Sequence, residues 1–168
     1  MKWNRIAHCA VLTALALALS MAERMLPLTV LIPLPGLRLG LANLVTVFAL
    51  CRLSKREALL ILVARCLLGA IGGGMLTSLA FSLTGGLLAF VVMALLLRCG
   101  RISLVGVCMA GAAAHHIGQI VAAMAVLGSR APVVYLPALL VASLLTGAVT
   151  GWVSLLLVHR VPLKVKNL

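Results

Sequence analysis

Aspartate is absent from this chain, and Glu23 and Glu57 are its two acidic residues. Without aspartate there is no acidic motif to hold a magnesium-diphosphate. Two isolated glutamates are a poor general acid–base pair. A glycine-rich Walker loop is missing as well, so the chain carries no ATPase motif of its own. Aromatic residues make up 4 % of the sequence, too few for a base-stacking surface, and the cations form no cluster, so nucleic acid is not an expected partner. Charged residues are 10 %, where soluble domains carry about 25 %. Cys9, Cys51, Cys66, Cys99 and Cys108 show no metal-ligand spacing and read as small apolar residues. The expectation is a non-catalytic protein with no cofactor and no metal.

What is present is hydrophobicity. Of 168 residues, 64 % are hydrophobic, and the mean hydropathy is +1.28. A soluble domain of this length leaves too much surface wet to hide such a composition. A bilayer solvates it, at about 20 apolar residues per spanning helix. The fold class expected is all-α: one integral membrane domain over 1–168, a polytopic six-helix bundle. The expected spans are 6–22, 36–51, 57–72, 75–97, 103–128 and 133–158. Pro27, Pro33 and Pro35 argue against a regular helix over 26–38, which is expected to be an apolar loop or re-entrant segment. Lys2, Arg5 and Ser20-Met21-Ala22 resemble a signal peptide, but further membrane spans follow, so an uncleaved first helix is expected.

The net charge of +12 fits the same picture. With the N-terminus in the cytoplasm, Lys2, Arg5, Arg52, Lys55, Arg56, Arg98, Arg101, Arg160, Lys164 and Lys166 lie inside. Arg24, Arg38 and Arg130 lie outside, and Arg65 falls within a span. The excess of inside cations places both termini in the cytoplasm and favours an even number of crossings.

Small residues recur at helical spacing. Ala10, Ala14, Ala18 and Ala22 share one face of the first helix. Such a face either packs within the chain or docks a separate membrane subunit. Gly106, Ala110, Ala114, Gly118 and Ala122 form a second stripe, and Ser143, Gly147 and Gly151 a third. These two are expected to pack against each other.

Polar groups at membrane depth are costly and point to a site. Asn43, Arg65, His115, His116 and Gln119 interrupt apolar runs, and Glu23 ends the first one. His115 and Gln119 share a face at four residues' spacing. These groups are expected to converge on a cavity in the outer half of the bundle, with Arg65 supplying charge for a small polar or anionic solute. The alternative is that they hydrogen-bond one another and fix helix packing. Glu23 with Arg24 also fits an interfacial ion pair.

Two stretches carry a resemblance. Pro33-Leu34-Pro35-Gly36-Leu37-Arg38-Leu39-Gly40-Leu41-Ala42-Asn43-Leu44-Val45-Thr46 and Gly111-Ala112-Ala113-Ala114-His115-His116-Ile117-Gly118-Gln119 resemble the bacterial membrane family named heptaprenyl diphosphate synthase component I, or Gx transporter. Tyr135-Leu136-Pro137 and Thr146 to Gly151 are similar to its last helix. The family pattern places asparagine after the first histidine, where this chain has His116, a group that titrates near neutrality.

The family in turn resembles the substrate-binding (S) components of energy-coupling-factor transporters. That resemblance implies six helices, cytoplasmic termini, ATPase motifs on partner subunits, and docking of the coupling subunit on Ala10, Ala14, Ala18 and Ala22. The expected function is therefore a non-catalytic, S-component-like subunit for small-solute uptake across the bacterial inner membrane. Its partners would be the solute, membrane lipid, and a coupling subunit with ATPases. The alternative is a non-catalytic membrane subunit of heptaprenyl diphosphate or quinone-precursor synthesis; a third reading is a structural bundle with no ligand.

Overall fold

A computed structural model describes residues 2–25, 40–73 and 76–160. The expected proline-rich loop over 26–38 lies outside the described residues. Within them the chain is all-helical. In chain order, α1 is Lys2–Met25, α2 Asn43–Arg52, α3 Lys55–Gly73, α4 Leu76–Cys99 and α5 Leu104–Leu127. A 3-10 turn over Ala131–Tyr135 then leads into α6, Leu136–Arg160. Among the described residues four helical stretches are long and apolar enough to cross a membrane: Arg5–Glu23, Thr77–Cys99, Leu104–Leu127 and Ala131–Arg160. The α2 helix is shorter, at 10 residues.

Local chemistry sets several helix ends. Ser54 and Glu57 form a capping box at the start of α3. Ser54 Oγ accepts from Glu57 N at 3.3 Å, and Glu57 Oε2 accepts from Ser54 N at 2.8 Å. Arg5 of α1 reaches the same carboxylate, Nε to Oε1 at 3.4 Å. Ser103 caps α5 by accepting from Gly106 N at 3.2 Å. Pro137 sits in the first turn of α6, where a missing N–H costs no intrahelical bond.

The second helix starts later than its apolar run implied. Gly40 to Ala42 form a turn, and α2 begins at Asn43. Gly40 has φ +86°, in the left-handed region that glycine reaches without a Cβ clash.

The α2 helix is the hub of the bundle. Asn43, Val45, Thr46, Val47, Phe48 and Ala49 are all buried. Its side chains join two core clusters. One includes Leu12 and Ala16 of α1 with Ala58 and Ile61 of α3. The other includes Ala89 and Met93 of α4 with Val107 and Cys108 of α5. The Arg52 guanidinium donates to the Val158 carbonyl near the end of α6. With the Arg5–Glu57 pair, this gathers the start of α1, the α2–α3 turn and the end of α6 at one end of the bundle.

The α5 helix packs most extensively, against α4 on one side and α6 on the other. The close contacts differ from the expected stripe-on-stripe packing. A Cβ on Gly118 would meet Gly85 Cα and the Thr84 carbonyl of α4 at 2.7 Å, so here two backbones touch. Gly147 and Gly151 do reach α5, but over Met109, Cys108 and Val105. A helix wedged between two neighbours turns a different face to each, and a strict four-residue stripe drifts around a 3.6-residue helix. The first stripe faces outward: Ala10, Ala14, Ala18 and Ala22 are all exposed. Leu12, Ala16, Ser20 and Glu23 form the buried side of α1.

Candidate functional site

Arg65 lies ten residues into α3, about 15 Å along its axis from Lys55. It is 4 % exposed. Its guanidinium donates from Nη1 to Ser20 Oγ of α1 at 3.3 Å and from Nη2 to Asn43 Oδ1 of α2 at 3.4 Å. Both acceptors are neutral, and both bonds are long for a charged donor. Among the described residues no carboxylate lies within 4.0 Å of it. A Cβ on Gly86 would fall 3.4 Å from Nη2, so the guanidinium rests against nearly bare backbone of α4.

Asn43 is the first residue of α2, which places its amide where the helix begins. One face of that amide serves Arg65. The other lies by Gly40, whose Cβ position is 2.9 Å from Asn43 Nδ2 and 3.2 Å from His115 Cδ2. His115 of α5 is thus drawn up to Asn43 around a glycine that leaves them room. Gln119 follows His115 by one turn. A Cβ on Gly85 would meet His115 Cε1 and Gln119 Cγ, each at 3.0 Å. Four of the expected residues therefore gather: Arg65 and Asn43 by direct bond, His115 beside Asn43, and Gln119 beside His115.

The other two stand apart in role. His116 is fully buried, but it points about 100° further around α5. Its ring centroid is 6.1 Å from that of His115, with the planes at 63°. Glu23 is 3 % exposed, and its Oε1 accepts from Leu41 N in the turn that opens α2. A carboxylate there suits the positive end of the helix dipole, so Glu23 anchors the strand of chain that carries Asn43.

Sequence reasoning passed over Ser20, which bonds the guanidinium, and Gly86, whose missing side chain leaves it room. Ser20 had one usable signal: it shares the buried side of α1 with Leu12, Ala16 and Glu23, opposite the alanine stripe. Gly86 has none in its own neighbourhood, because its role depends on how α4 registers against α3.

Next to the cluster, Gly40, Asn43, Met93, Cys108, Ala112, Thr146 and Thr150 line a crevice between α2, α4, α5 and α6. It is too narrow to hold a water molecule. Thr146 and Thr150 donate to carbonyls of their own helix, at 3.1 Å and 2.8 Å. The arrangement is a buried cation held by a hydroxyl and an amide, with the His115 imidazole on the far side of that amide. A buried guanidinium is chemically suited to an anionic or strongly polar group, while the crevice beside it is closed; the described residues of the cluster offer no evident nucleophile–base pair.

A family model described as heptaprenyl diphosphate synthase component I matches residues 12–157. No curated protein and no solved structure matches the chain.

Proposed function

The chain belongs to the heptaprenyl diphosphate synthase component I family, and on that footing we propose that it is a non-catalytic membrane subunit that binds a small anionic or polar solute for uptake. In this reading it works like the S component of an energy-coupling-factor transporter, as a bundle of six membrane helices with both termini in the cytoplasm. One observation carries the proposal. Arg65 is buried among neutral partners, with no carboxylate within ion-pair distance among the described residues. Taking a lone cation out of water costs several kcal/mol. An anionic ligand offsets that cost when it binds, so the charge is better explained by a ligand than by packing. Asn43, His115 and Gln119 would orient the solute, with His116 and Glu23 supporting them.

The outward alanine face of α1 supports docking of a coupling subunit. Exposed alanines leave a smooth surface on which another helix can approach closely. ATP hydrolysis would then belong to partner subunits.

The family description favours a second reading. Component I of a synthase implies a protein partner, and that partner could be a soluble prenyl synthase. Gentle affinity purification from native membranes separates the two. The uptake reading expects a coupling subunit and ATPases to co-purify, and expects Ala14→Leu with Ala18→Leu to release them without unfolding the chain. Retention of a prenyl synthase instead, indifferent to the alanine substitutions, would replace it with the second reading.

A further inference from the structure

Arg65 Nε and Asn43 Nδ2 are buried and have no hydrogen-bond partner among the described residues. A third such atom is Ser82 Oγ on α4, in a residue only 2 % exposed. Ser82 precedes Gly86 by four residues, so the two lie one turn apart on one face of the helix. Ala89 and Met93 continue that face, and all four positions are buried. Gly86 is where α4 meets Leu62 and Arg65 of α3. The two helices follow each other in the chain and run in opposite directions. One turn back from Gly86, Ser82 therefore stands level with the turn of α3 that follows Arg65.

All three atoms can donate. The guanidinium Nε carries one N–H, the carboxamide two, and the hydroxyl one. Leaving a buried donor unmade is costly, and three of them, two on the bonded Arg65–Asn43 pair and one a turn along α4 from the Gly86 position that the guanidinium faces, match a single kind of group. That group has negative charge and several lone pairs.

We infer that the ligand presents an oxyanion, a carboxylate or a phosphate, to Arg65 Nε, the Asn43 amide and the Ser82 hydroxyl, and that Ser82 is a binding residue. This rests on the proposal that a solute binds at Arg65. It goes further by fixing the chemistry of the bound group and by adding a polar side chain from α4, which otherwise meets the site through its glycines. A cationic or purely apolar group would leave all three donors unpaired.

The test titrates the full-length protein in detergent micelles with benzoate, inorganic phosphate and inorganic diphosphate. Chloride at equal ionic strength is the control, and thermal unfolding and calorimetry are the readouts. The expected result is a saturable rise in Tm with at least one oxyanion and none with chloride. Benzoate alone identifies a carboxylate ligand; phosphate or diphosphate identifies a phosphoryl one. Ser82→Ala should weaken that binding about tenfold or more, the usual weight of a hydrogen bond to a charged group. Its unliganded Tm should stay equal or rise, since only an unpaired hydroxyl is lost. Ser82→Thr, which keeps the hydroxyl, should bind within a few-fold of wild type.

Unchanged affinity in Ser82→Ala would overturn the role of Ser82, while loss of binding in Arg65→Ala would leave the solute site standing. If no oxyanion shifts the Tm, the inference fails. The broader proposal would then survive only if wild-type protein still carries a solute that Arg65→Ala loses.

Discussion

A guanidinium held by one serine hydroxyl and one carboxamide oxygen is a poor way to stabilise a fold. Replacing a buried charge by an apolar residue of similar volume is often neutral or stabilising. Ser20 and Asn43 orient Arg65 without neutralising it, and orientation is what a receptor needs. Gly40 matters for a different reason. Its φ of +86° and its contacts with Asn43 and His115 both exclude a side chain. Gly40→Ala should therefore lose about 1–2 kcal/mol of stability from the left-handed backbone alone, with more from displacing the Asn43 amide. Thermal unfolding in micelles measures this; an unchanged Tm would mean that the turn before α2 tolerates a Cβ. At this scale the sequence marked Arg65, Asn43, His115 and Gln119 because polar groups are conspicuous in apolar runs. Ser20, Ser82 and Gly86 were invisible, since serine and glycine are ordinary residues in membrane helices. Their meaning comes from tertiary register, which no local pattern encodes.

Among the elements, α2 and α5 do most to build the site. The α2 helix is short and buried, and it begins at the residue that bonds Arg65. Its start could not be read from hydropathy, because Gly40, Leu41 and Ala42 are as apolar as the helix they precede. The α5 helix was legible as a span, but its partners were not. Spacing suggested stripe against stripe, whereas Gly118 meets Gly85 of α4, and Gly147 meets Met109. The Gly118 contact holds His115 and Gln119 over α4. Gly118→Val would drive its Cβ to 2.7 Å from Gly85 Cα, a clash with backbone that no rotamer relieves. Overpacking of this kind costs about 1–3 kcal/mol or more. Circular dichroism melting should show a clearly lower Tm together with weakened solute binding, because both histidine and glutamine move with the helix. A melt like wild type would show that α4 and α5 are less tightly apposed than the structure has them.

At the scale of the molecule, the bundle sorts its charges by end. Arg5, Arg52, Lys55 and Arg56 meet near the start of α3, and the α6 terminus with Arg160 is tied to them through Arg52. Arg130 lies after α5, at the end of that helix away from Arg101. Composition and loop charge alone carried the all-helical class and the membrane setting, because lipid imposes long apolar helices on any chain that crosses it. Among the described residues the arrangement leaves one arginine, Arg65, buried inside the bundle with neutral company, and the account stands on the reason for that exception. Mass spectrometry of small molecules extracted from gently purified wild-type protein and from Arg65→Ala tests it most directly. A single polar, anionic solute should accompany the wild type in near-stoichiometric amount and be absent from the variant. Recovery of the same solute from both proteins, or of none from the folded wild type, would contradict it.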